Sequence, residues 1–576
     1  MRSTFSDGFC WIPSPWGGER YAPHEEIGFL NPRSEPLSTF ALDVDTTSYA
    51  LMRRDLTESE RLPSPWSVWV EEYVNYFSYD YPQPKDGEPV AVTCELAACP
   101  WNATNRLLRV GVQAKRIEQN AVPPCNFTFL VDVSGSMRGA DRIDLLKEAL
   151  KQLVDRLRDE DHVAIVTYAD SAFVALPSVS GGEKQWIRSV IDGLSACGGT
   201  AGGDGIQRAY AEAEKNFDPE ANNRVILVTD GDFNVGIRSP KQLRSFIADK
   251  RESGVFLTVL GVGRGNFNDA GMKALANAGN GNYAYLDSPE EARRVLLDEF
   301  SGTLVTVAKD VKVQLAFDLS EIRGYRLLGY ENRLLTARDF KDDGKDAGEI
   351  GAGHSMTAFY EIVPAGTGAL FTVKTRYKLP DADESVLREQ AYTAAELTRS
   401  EPSEDFRFAS AVAEFALLVK DSKFRGTASF MNLIARARGA TGADRDGRRA
   451  EFVRLAEQAA PLVKERDKLA VENGLIDAQI ESAVREEGRR RAAAPGVALC
   501  HFVQICGGGS GGRSVRGSPS LDGMGHGVEA LPEGAAGECR RCLGEGADHL
   551  AADGPVSLLA YDAGTIEACA SICCAG

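Results

Sequence analysis

The strongest constraint on the fold of this chain is the alternation of short apolar segments with amphipathic ones between residues 125 and 303. Apolar runs such as "NFTFLVDV", "HVAIVTYA", "RVILVTD" and "VFLTVLGV" are separated by helical patterns such as "RIDLLKEALKQLVDRL". Short buried strands with helices between them are typical of a mostly parallel sheet that is covered on both faces. We therefore expect a doubly wound α/β domain, with its ligand site outside the carboxyl ends of the strands.

Both sides of this domain carry a different pattern, in which apolar and polar residues alternate with period two. The stretches "VAVTCELAA" and "NRLLRVGVQAK" precede the domain, and "AKDVKVQLAFD", "SMTAFYEIV" and "ALFTVKTRYKL" follow it. This alternation predicts antiparallel sheet. The two β-rich flanks either form one β-sandwich that the α/β domain interrupts, or they fold as two separate small domains. After residue 404 the pattern becomes helical, which predicts C-terminal helices.

Changes in pattern and composition predict five segments. We expect a flexible lead-in at 1–36, an N-terminal flanking region at 37–122, the α/β domain at 123–305, a C-terminal flanking region at 306–470, and a charged helix with a disordered Gly- and Cys-rich tail at 471–576. The tail is either a lineage-specific extension or an out-of-frame sequence. Its single C-x-x-C pair, Cys539 and Cys542, would need a second pair at suitable spacing to bind zinc.

Charge and hydropathy argue against several classes of partner. The chain has 65 Lys and Arg against 83 Asp and Glu, a net charge of −18, which argues against a nucleic-acid partner and against an anionic membrane surface. No run approaches the roughly 18 apolar residues of a membrane span, so we expect no transmembrane segment. The N-terminus lacks a basic region followed by an apolar one, so we expect no secretory signal.

The most informative motif lies at the end of the first buried strand of the α/β domain. There the stretch "FLVDVSGSM" ends its apolar run in Asp132, Ser134 and Ser136, at alternate positions where strand gives way to loop. Three hard oxygen ligands at one point suit Mg²⁺ or Mn²⁺ better than zinc or copper. Two further residues strengthen the signal, Thr200 in "GGTAGGDG" and Asp230 at the end of "RVILVTD".

These motifs carry a resemblance to a known family. Residues 123–305 resemble a von Willebrand factor type A (VWA) domain, which has a Rossmann-like fold, with a complete metal-ion-dependent adhesion site. The wider chain is similar to a bacterial family in which this domain has flanking N- and C-terminal regions. The matching stretches, between about residues 36 and 470, are "PLSTFALDVDTTSYA", "VEEYVNYFSYDYP", "FLVDVSGSM", "ILVTDGDFNVG", "LGYENRLL" and "DAGEIGAGH".

The resemblance implies a role for each residue of the motif. Ser134 and Ser136 would ligate the metal directly, and Thr200 would do so directly or through water. Asp132 and Asp230 would act through water. With few direct anionic ligands the cation would remain electrophilic, and an Asp or Glu of a partner protein would take its open position. The alternative is a degenerate domain that binds no metal.

Two functions from different classes can be built on such a site. The leading interpretation is a Mg²⁺-dependent protein-binding module rather than an enzyme, at the cell envelope if the true N-terminus carries a signal and in the cytoplasm otherwise. The alternative is an intracellular adaptor or assembly factor that works with an AAA+ ATPase. A hydrolase is disfavoured because no general base or nucleophile can be named beside the motif.

Other candidate residues give weaker signals. His162 precedes a buried strand and is interpreted as structural. The acidic loop before His354, with carboxylates from Asp339 to Glu349, either holds calcium or is a solvated hairpin, and its spacing does not match a helix–loop–helix calcium site. The apolar face of "VEEYVNYF" is interpreted as core packing rather than as a binding stripe.

Overall fold

The computed structural model describes residues 19, 21, 23–42, 44–85, 87–118, 122–199, 202–231, 240–264, 268–299, 305–343, 347–366, 369–380, 382, 384–398 and 401–492. Thr200, Asp346, Cys539 and Cys542 therefore lie outside the described residues. So does the predicted tail beyond residue 492. The chain divides into two units, residues 1–465 and 466–576.

Within its described residues, the N-terminal flanking region contains two helices and three strands. In chain order its elements are β1 (Leu37–Ala41), α1 (Thr47–Glu58), a 3₁₀ turn (Pro65–Ser67), α2 (Val70–Asn75), β2 (Val90–Cys99) and β3 (Asn102–Ala114). Ser64 caps the 3₁₀ turn through its hydroxyl, and Pro65 takes the first helical position. Strands β2 and β3 pair antiparallel, as the sequence predicts.

The apolar face of α2 belongs to the core. Val70, Tyr73, Val74 and Phe77 are all buried, and they lie in one hydrophobic cluster with helix residues from beyond residue 404. The interpretation of this face as core packing is therefore confirmed.

The α/β domain follows with alternating strands and helices. Its strands are β4 (Cys125–Asp132), β5 (His162–Tyr168), β6 (Ala172–Ser180), β7 (Asn222–Thr229), β8 (Phe256–Val262) and β9 (Tyr283–Leu286). Its helices are α3 (Leu145–Arg156), α4 (Lys184–Gly193), α5 (Gly202–Lys215), α6 (Pro240–Glu252), α7 (Asp269–Ala278) and α8 (Pro289–Arg293). A π-helical segment, Ala140–Asp144, precedes α3, and a second one, Arg294–Glu299, continues α8.

The sheet of this domain positions the motif residues. Within the described residues its strand order is β6-β5-β4-β7-β8-β9. Strand β4 is parallel to both of its neighbours, β5 and β7, and β6 lies at the edge of the sheet, antiparallel to β5. Every residue of β4 is buried, because helices cover both faces of the central strand. The prediction of a doubly wound, mostly parallel sheet is confirmed.

The described part of the C-terminal flanking region contains further strands and two short helices. These are β10 (Thr306–Phe317), β11 (Ile322–Leu327), β12 (Leu334–Leu335), α9 (Ala337–Lys341), β13 (Ile350–Gly351), β14 (Ser355–Pro364), β15 (Ala369–Lys378), β16 (Ser385–Thr393) and α10 (Ala394–Leu397). Three longer helices follow: α11 (Glu404–Lys420), α12 (Phe430–Arg438) and α13 (Arg448–Ala492).

Strands from the two flanks pair with one another. Strand β1 pairs with β10, and β3 pairs with β14, both antiparallel. Among the described residues one sheet has the order β12-β1-β10-β15-β16, with β13 beside β10, and the other has the order β11-β14-β3-β2. Side chains of both sheets share one hydrophobic cluster. Of the two arrangements that the sequence left open, the structure shows the single sandwich interrupted by the α/β domain.

The described part of the lead-in differs from the flexible segment that the sequence predicts. Leu30 forms a β-bridge with Tyr325 of β11. The ring of His24 stacks on Trp69 at 3.8 Å between ring centroids, and the hydroxyl of Ser422 donates to Glu26 at 2.8 Å. Residues 23–36 therefore make specific contacts with both flanks, which the Pro- and Gly-rich composition did not indicate.

Candidate metal site at the carboxyl edge of the sheet

Two adjacent strands of the α/β sheet end in the residues that the motif singled out. Strand β4 ends at Asp132, and β7 ends at Thr229, directly before Asp230. The strands are parallel, with Val131 opposite Val228, so their carboxyl ends meet at one edge of the sheet. Ser134 and Ser136 follow β4 in a tight turn that includes the 3₁₀ segment Gly135–Met137.

Asp132 is fully buried at this edge, with 0% of its surface exposed. Its Oδ1 accepts a hydrogen bond from the backbone N–H of Ser134 at 2.8 Å, and its Oδ2 accepts from the hydroxyls of Tyr168 at 2.9 Å and Thr229 at 3.2 Å. Burial raises the pKa of Asp132, and these hydrogen bonds offset part of that shift. The carboxylate is therefore fixed by neutral donors from three strand ends.

The two serine hydroxyls lie together above Asp132. Ser134 Oγ and Ser136 Oγ are 3.0 Å apart. Ser134 is buried and Ser136 is exposed, so the pair runs from the interior of the sheet edge to the surface. The structure thus brings three of the five predicted residues into one small region, and each of them contributes side-chain oxygen atoms there.

Asp230 lies on the neighbouring strand end. It is 2% exposed, and Nε of Arg142 approaches its Oδ2 at 3.7 Å. The hydroxyl of Thr229 accepts from the backbone N–H of Gly231 at 3.3 Å while it donates to Asp132. Thr229 therefore ties the loop that carries Asp230 to the carboxylate of Asp132.

The loop that leads to Thr200 is fixed against the same edge, although Thr200 itself is outside the described part of the chain. The N–H of Cys197 donates to the carbonyl of Val133 at 2.7 Å, and the N–H of Gly199 donates to Oδ1 of Asp170 at 2.7 Å. Gly198 has φ +83°, and a Cβ there would come within 2.5 Å of Asp170 Oδ2. Glycine is required at this position because the loop passes so close to Asp170.

The donor set at this edge has the chemistry that a hard cation needs. Carboxylate and hydroxyl oxygens suit Mg²⁺ or Mn²⁺, and no sulfur or imidazole ligand lies in the motif. Among the described residues no group of three or more His, Cys, Asp or Glu side chains could hold a metal ion. A cation at this edge would therefore need the hydroxyls of Ser134 and Ser136 as well as carboxylates.

Four residues that contact the motif were not predicted from the sequence. Tyr168 and Thr229 bind Asp132, Asp170 holds the loop before Thr200, and Arg142 approaches Asp230. Tyr168 and Thr229 are the last residues of β5 and β7, the two strands that flank β4. The end positions of neighbouring parallel strands were the signal that could have identified them.

The weaker candidates lie elsewhere or are engaged by the protein. His162 begins β5, at the opposite end of the strand from the motif, and is exposed. In the acidic loop, Asp339 closes the capping box of α9 with Thr336, and Asp343 binds Arg376. Glu349 accepts from Asn280 at 2.8 Å. These three carboxylates therefore have separate protein partners, and none of these contacts favours a shared calcium ion.

No described helix is long and apolar enough to cross a membrane.

Comparison with known families divides the chain in the same way as its strand pattern. The family described as "von Willebrand factor type A domain" matches residues 126–298. The family described as "von Willebrand factor" matches residues 16–109, and "Uncharacterized protein YfbK, C-terminal" matches residues 302–371 and 367–462. The α/β domain and both flanking regions are thus each covered by a family.

The chain is also similar to individual proteins of known sequence or structure. A protein of Escherichia coli (strain K12) described as "Uncharacterized protein YfbK" is 42% identical over 472 residues, which are 77% of this chain and 81% of that protein. "Uncharacterized protein sll0103" of Synechocystis is 28% identical over 190 residues, 33% of this chain and 44% of that protein. A solved structure, "von Willebrand factor type A from Catenulispora acidiphila", covers 62% of this chain and 88% of its own, at 20% identity and a TM-score of 0.39.

Proposed function

This chain belongs to the family of the bacterial VWA protein YfbK, and from that premise we propose that it is a Mg²⁺-dependent protein-binding module. VWA domains are protein-interaction modules in the members of their family. The proposed site consists of Asp132, Ser134, Ser136, Thr200 and Asp230. Its target is an Asp or Glu side chain on the surface of a partner protein.

The observation that carries the proposal is the arrangement of oxygens at the carboxyl edge of the sheet. The hydroxyls of Ser134 and Ser136 are 3.0 Å apart. Both carboxyl oxygens of the buried Asp132 are occupied by donors from Ser134, Tyr168 and Thr229. Asp132 therefore orients the turn that carries the serines and places negative charge beneath them.

The residues present define what each would contribute to binding. Ser134 and Ser136 would be direct ligands, whereas Asp132 and Asp230 would supply charge from behind them. A bound Mg²⁺ would offer a positively charged position to a carboxylate of the partner. Because neutral hydroxyls would be the direct ligands, the protein would not neutralise that positive charge completely. The exposure of Ser136 leaves this position accessible from the surface.

A pull-down experiment tests the proposal. The immobilised full chain is incubated with extract in Mg²⁺ or in EDTA, and bound proteins are identified. We expect at least one protein to be retained in Mg²⁺ and released by EDTA, and to be lost in Asp132→Ala and Ser134→Ala. Circular dichroism of both variants should show a folded chain, because both positions lie at a strand end rather than within the hydrophobic clusters.

A serine at the opposite end of the sheet provides the matched control. Ser180 ends β6 opposite His162, the first residue of β5, so Ser180→Ala removes a hydroxyl far from the motif. It should retain the partner like the wild type. Equal recovery of the partner in all lanes, with or without EDTA, would contradict the proposed function.

A further inference from the structure

Arg142 brings a positive charge into the proposed site that the motif itself does not contain. Its Nε lies 3.7 Å from Oδ2 of Asp230, and the two side chains are 19% and 2% exposed. The motif assigns Asp230 to the cation, so a guanidinium of the protein already lies beside a carboxylate that a metal ion would also approach.

The position of Arg142 is fixed by contacts on the other side of its guanidinium. Its Nη2 donates to the backbone carbonyl of Arg264 at 2.7 Å, and its Nη1 donates to Oδ1 of Asp141 at 3.2 Å. Gly263 has φ +73°, and a Cβ there would come within 2.3 Å of Nε of Arg142. The fold therefore leaves room for this guanidinium by placing a glycine beside it.

The turn that receives Arg142 is itself held by the N-terminal flanking region. The hydroxyl of Tyr285 donates to the carbonyl of Gly263 at 2.6 Å, and Arg54 of α1 donates to that hydroxyl at 3.0 Å. Arg264 forms an ion pair with Glu58, the last residue of α1. The guanidinium is thus placed by a series of contacts that begins outside the α/β domain.

We infer that Arg142 is a positioning residue and an internal counter-cation of the proposed metal site. It compensates the charge of Asp230 in the metal-free protein and opposes the binding of Mg²⁺. The inference rests on the proposed function, because it concerns the same site. A fixed positive charge a few ångströms away repels a second cation, and partial burial of the pair limits screening by salt. A partner's carboxylate would offset this repulsion, so Arg142 makes Mg²⁺ binding depend more strongly on the presence of an acidic partner.

Isothermal titration of the full chain with Mg²⁺ alone tests the inference. Arg142→Gln removes the charge, and we expect the dissociation constant for Mg²⁺ to fall about tenfold, since the repulsion from a nearby full charge is lost. Arg142→Lys keeps the charge and should bind Mg²⁺ within about threefold of the wild type. Arg138→Gln is the matched control: Arg138 lies four residues before Arg142, is exposed, and donates to the carbonyl of Ala196 instead.

Thermal unfolding supplies a readout that does not require bound Mg²⁺. In EDTA, Arg142→Gln should unfold at a lower temperature than Arg138→Gln, because Asp230 loses its compensating charge. In Mg²⁺ the difference should shrink. A variant that is destabilised equally in both conditions would show a purely structural role and overturn the inference.

A second pair of variants covers the case in which Arg142→Gln does not fold. Asp141→Asn removes the partly exposed carboxylate that Arg142 also binds, so the guanidinium should turn more fully to Asp230 and weaken Mg²⁺ binding by about threefold. Asp144→Asn removes an equal charge from an exposed position three residues on and should weaken it less. Equal weakening by both variants would overturn the inference.

The wild type separates failure of the inference from failure of the proposed function. A wild type that binds no Mg²⁺ overturns the proposed site, and the inference with it. A wild type that binds Mg²⁺ with the same affinity as Arg142→Gln overturns only the role of Arg142.

Discussion

Two buried carboxylates of this chain, Asp132 and Glu291, have the same burial but opposite electrostatic surroundings. They are 0% and 1% exposed. Glu291 lies in α8, where Arg53 of α1 donates to its Oε2 at 2.8 Å and Arg294 donates to its Oε1 at 2.6 Å. Asp132 is bound by one backbone N–H and two neutral hydroxyls, and no described lysine or arginine forms an ion pair with it.

Their pKa values differ accordingly. Burial raises the pKa of Glu291, but the charges of Arg294 and Arg53 outweigh it and lower the pKa to about 2. At Asp132 burial prevails over the hydrogen bonds, and the pKa is raised. The protein supplies the cations for Glu291 itself. At Asp132 it supplies only neutral donors, which is the difference expected between a structural ion pair and a carboxylate kept for an external cation.

The ion pairs of Glu291 belong to the joint between the α/β domain and the N-terminal flanking region. Arg53 also binds Asp287 through two nitrogens, at 2.5 and 2.7 Å, and donates to the hydroxyl of Tyr76 at 2.6 Å. These contacts connect α1 and the segment after α2 to the last helix of the α/β domain. We therefore assign this network to holding the domain in place.

The largest effect should come from removing the central arginine of the joint. Arg53→Met leaves Asp287 and Glu291 buried without their shared cation, so the free energy of unfolding should fall by about 3–5 kcal/mol. Arg388→Met removes an ion pair with Glu88 that is half-exposed, and should lower the free energy of unfolding far less. Urea unfolding of both variants measures the free energies. Equal decreases would contradict the proposal that the Arg53 network holds the α/β domain in place.

Replacing each of the two carboxylates, Glu291 and Asp132, by its amide should change the free energy of unfolding by unequal amounts. Glu291→Gln removes the buried carboxylate that Arg53 and Arg294 share, and should lower the free energy of unfolding by roughly 3 kcal/mol. Asp132→Asn should change it by less than about 1 kcal/mol in EDTA, because the carboxylate has neutral partners and its own burial penalty is relieved. With Mg²⁺ at about 100 times its dissociation constant, the wild type should gain about 2.7 kcal/mol and Asp132→Asn should gain none.

If Asp132→Asn destabilised the chain in EDTA as strongly as Glu291→Gln does, the proposed difference in role between the two carboxylates would be contradicted. Asp132 would then be a structural residue of the strand end. Ser180→Ala, far from both regions, fixes the baseline for each buffer.

A third buried carboxylate should make stability depend on pH in the opposite sense from Glu291. Burial, and then the nearby charges of Glu331 and Glu72, raise the pKa of Glu71 from 4.5 to about 8. Because the folded state binds this proton more tightly than the unfolded state, the stabilising contribution is complete below pH 4.5 and is lost as the pH rises through 8. Each pKa unit of difference corresponds to about 1.4 kcal/mol.

Glu71→Gln tests this sign. Its stability should fall less than that of the wild type between pH 5 and pH 9, as measured by urea midpoints at each pH. Glu290→Gln is an exposed control on α8 and should follow the wild-type curve. Since Asp269 also has a raised pKa, of about 7, some decline will remain in the variant. Parallel curves for Glu71→Gln and the wild type would contradict the prediction.

The sequence was sufficient for the parts of this molecule that depend on periodicity. The buried runs gave β4, β5, β7 and β8, and because parallel strands share a carboxyl edge, the position of Asp132 beside the end of β7 followed. The pairing of the flanking strands into one sandwich could not be predicted in the same way. Its sheets pair β1 with β10 and β3 with β14, and period-two alternation shows that a strand has an inner face without showing its neighbour.

The neighbours of the motif depend on contacts that no local pattern encodes. Arg142 lies six residues after Ser136 on an amphipathic segment, where a charged side chain usually indicates a solvated face. Its place beside Asp230 is set by Gly263 and the carbonyl of Arg264, which are more than a hundred residues away. The joint of Arg53 and Glu291 is likewise formed by residues 238 positions apart. Long-range ion pairs of this kind require the fold before they can be recognised.

The smallest effect should come from Asp170, whose variants separate the effect of its charge from that of its hydrogen bond. Its Oδ1 accepts from the N–H of Gly199, at the end of the described loop that leads to Thr200. Asp170→Asn keeps a carbonyl oxygen in that place, so the dissociation constant for Mg²⁺ should rise by less than about fivefold. Asp170→Ala removes the acceptor and should raise it about tenfold or more, as loss of a residue that orients a ligand loop does. Calorimetric titration with Mg²⁺ measures both, and thermal unfolding in EDTA shows whether either variant is damaged elsewhere. If Asp170→Asn weakened binding as much as Asp170→Ala, the carboxylate would act through its charge, and the site would depend on more anionic residues than Asp132 and Asp230.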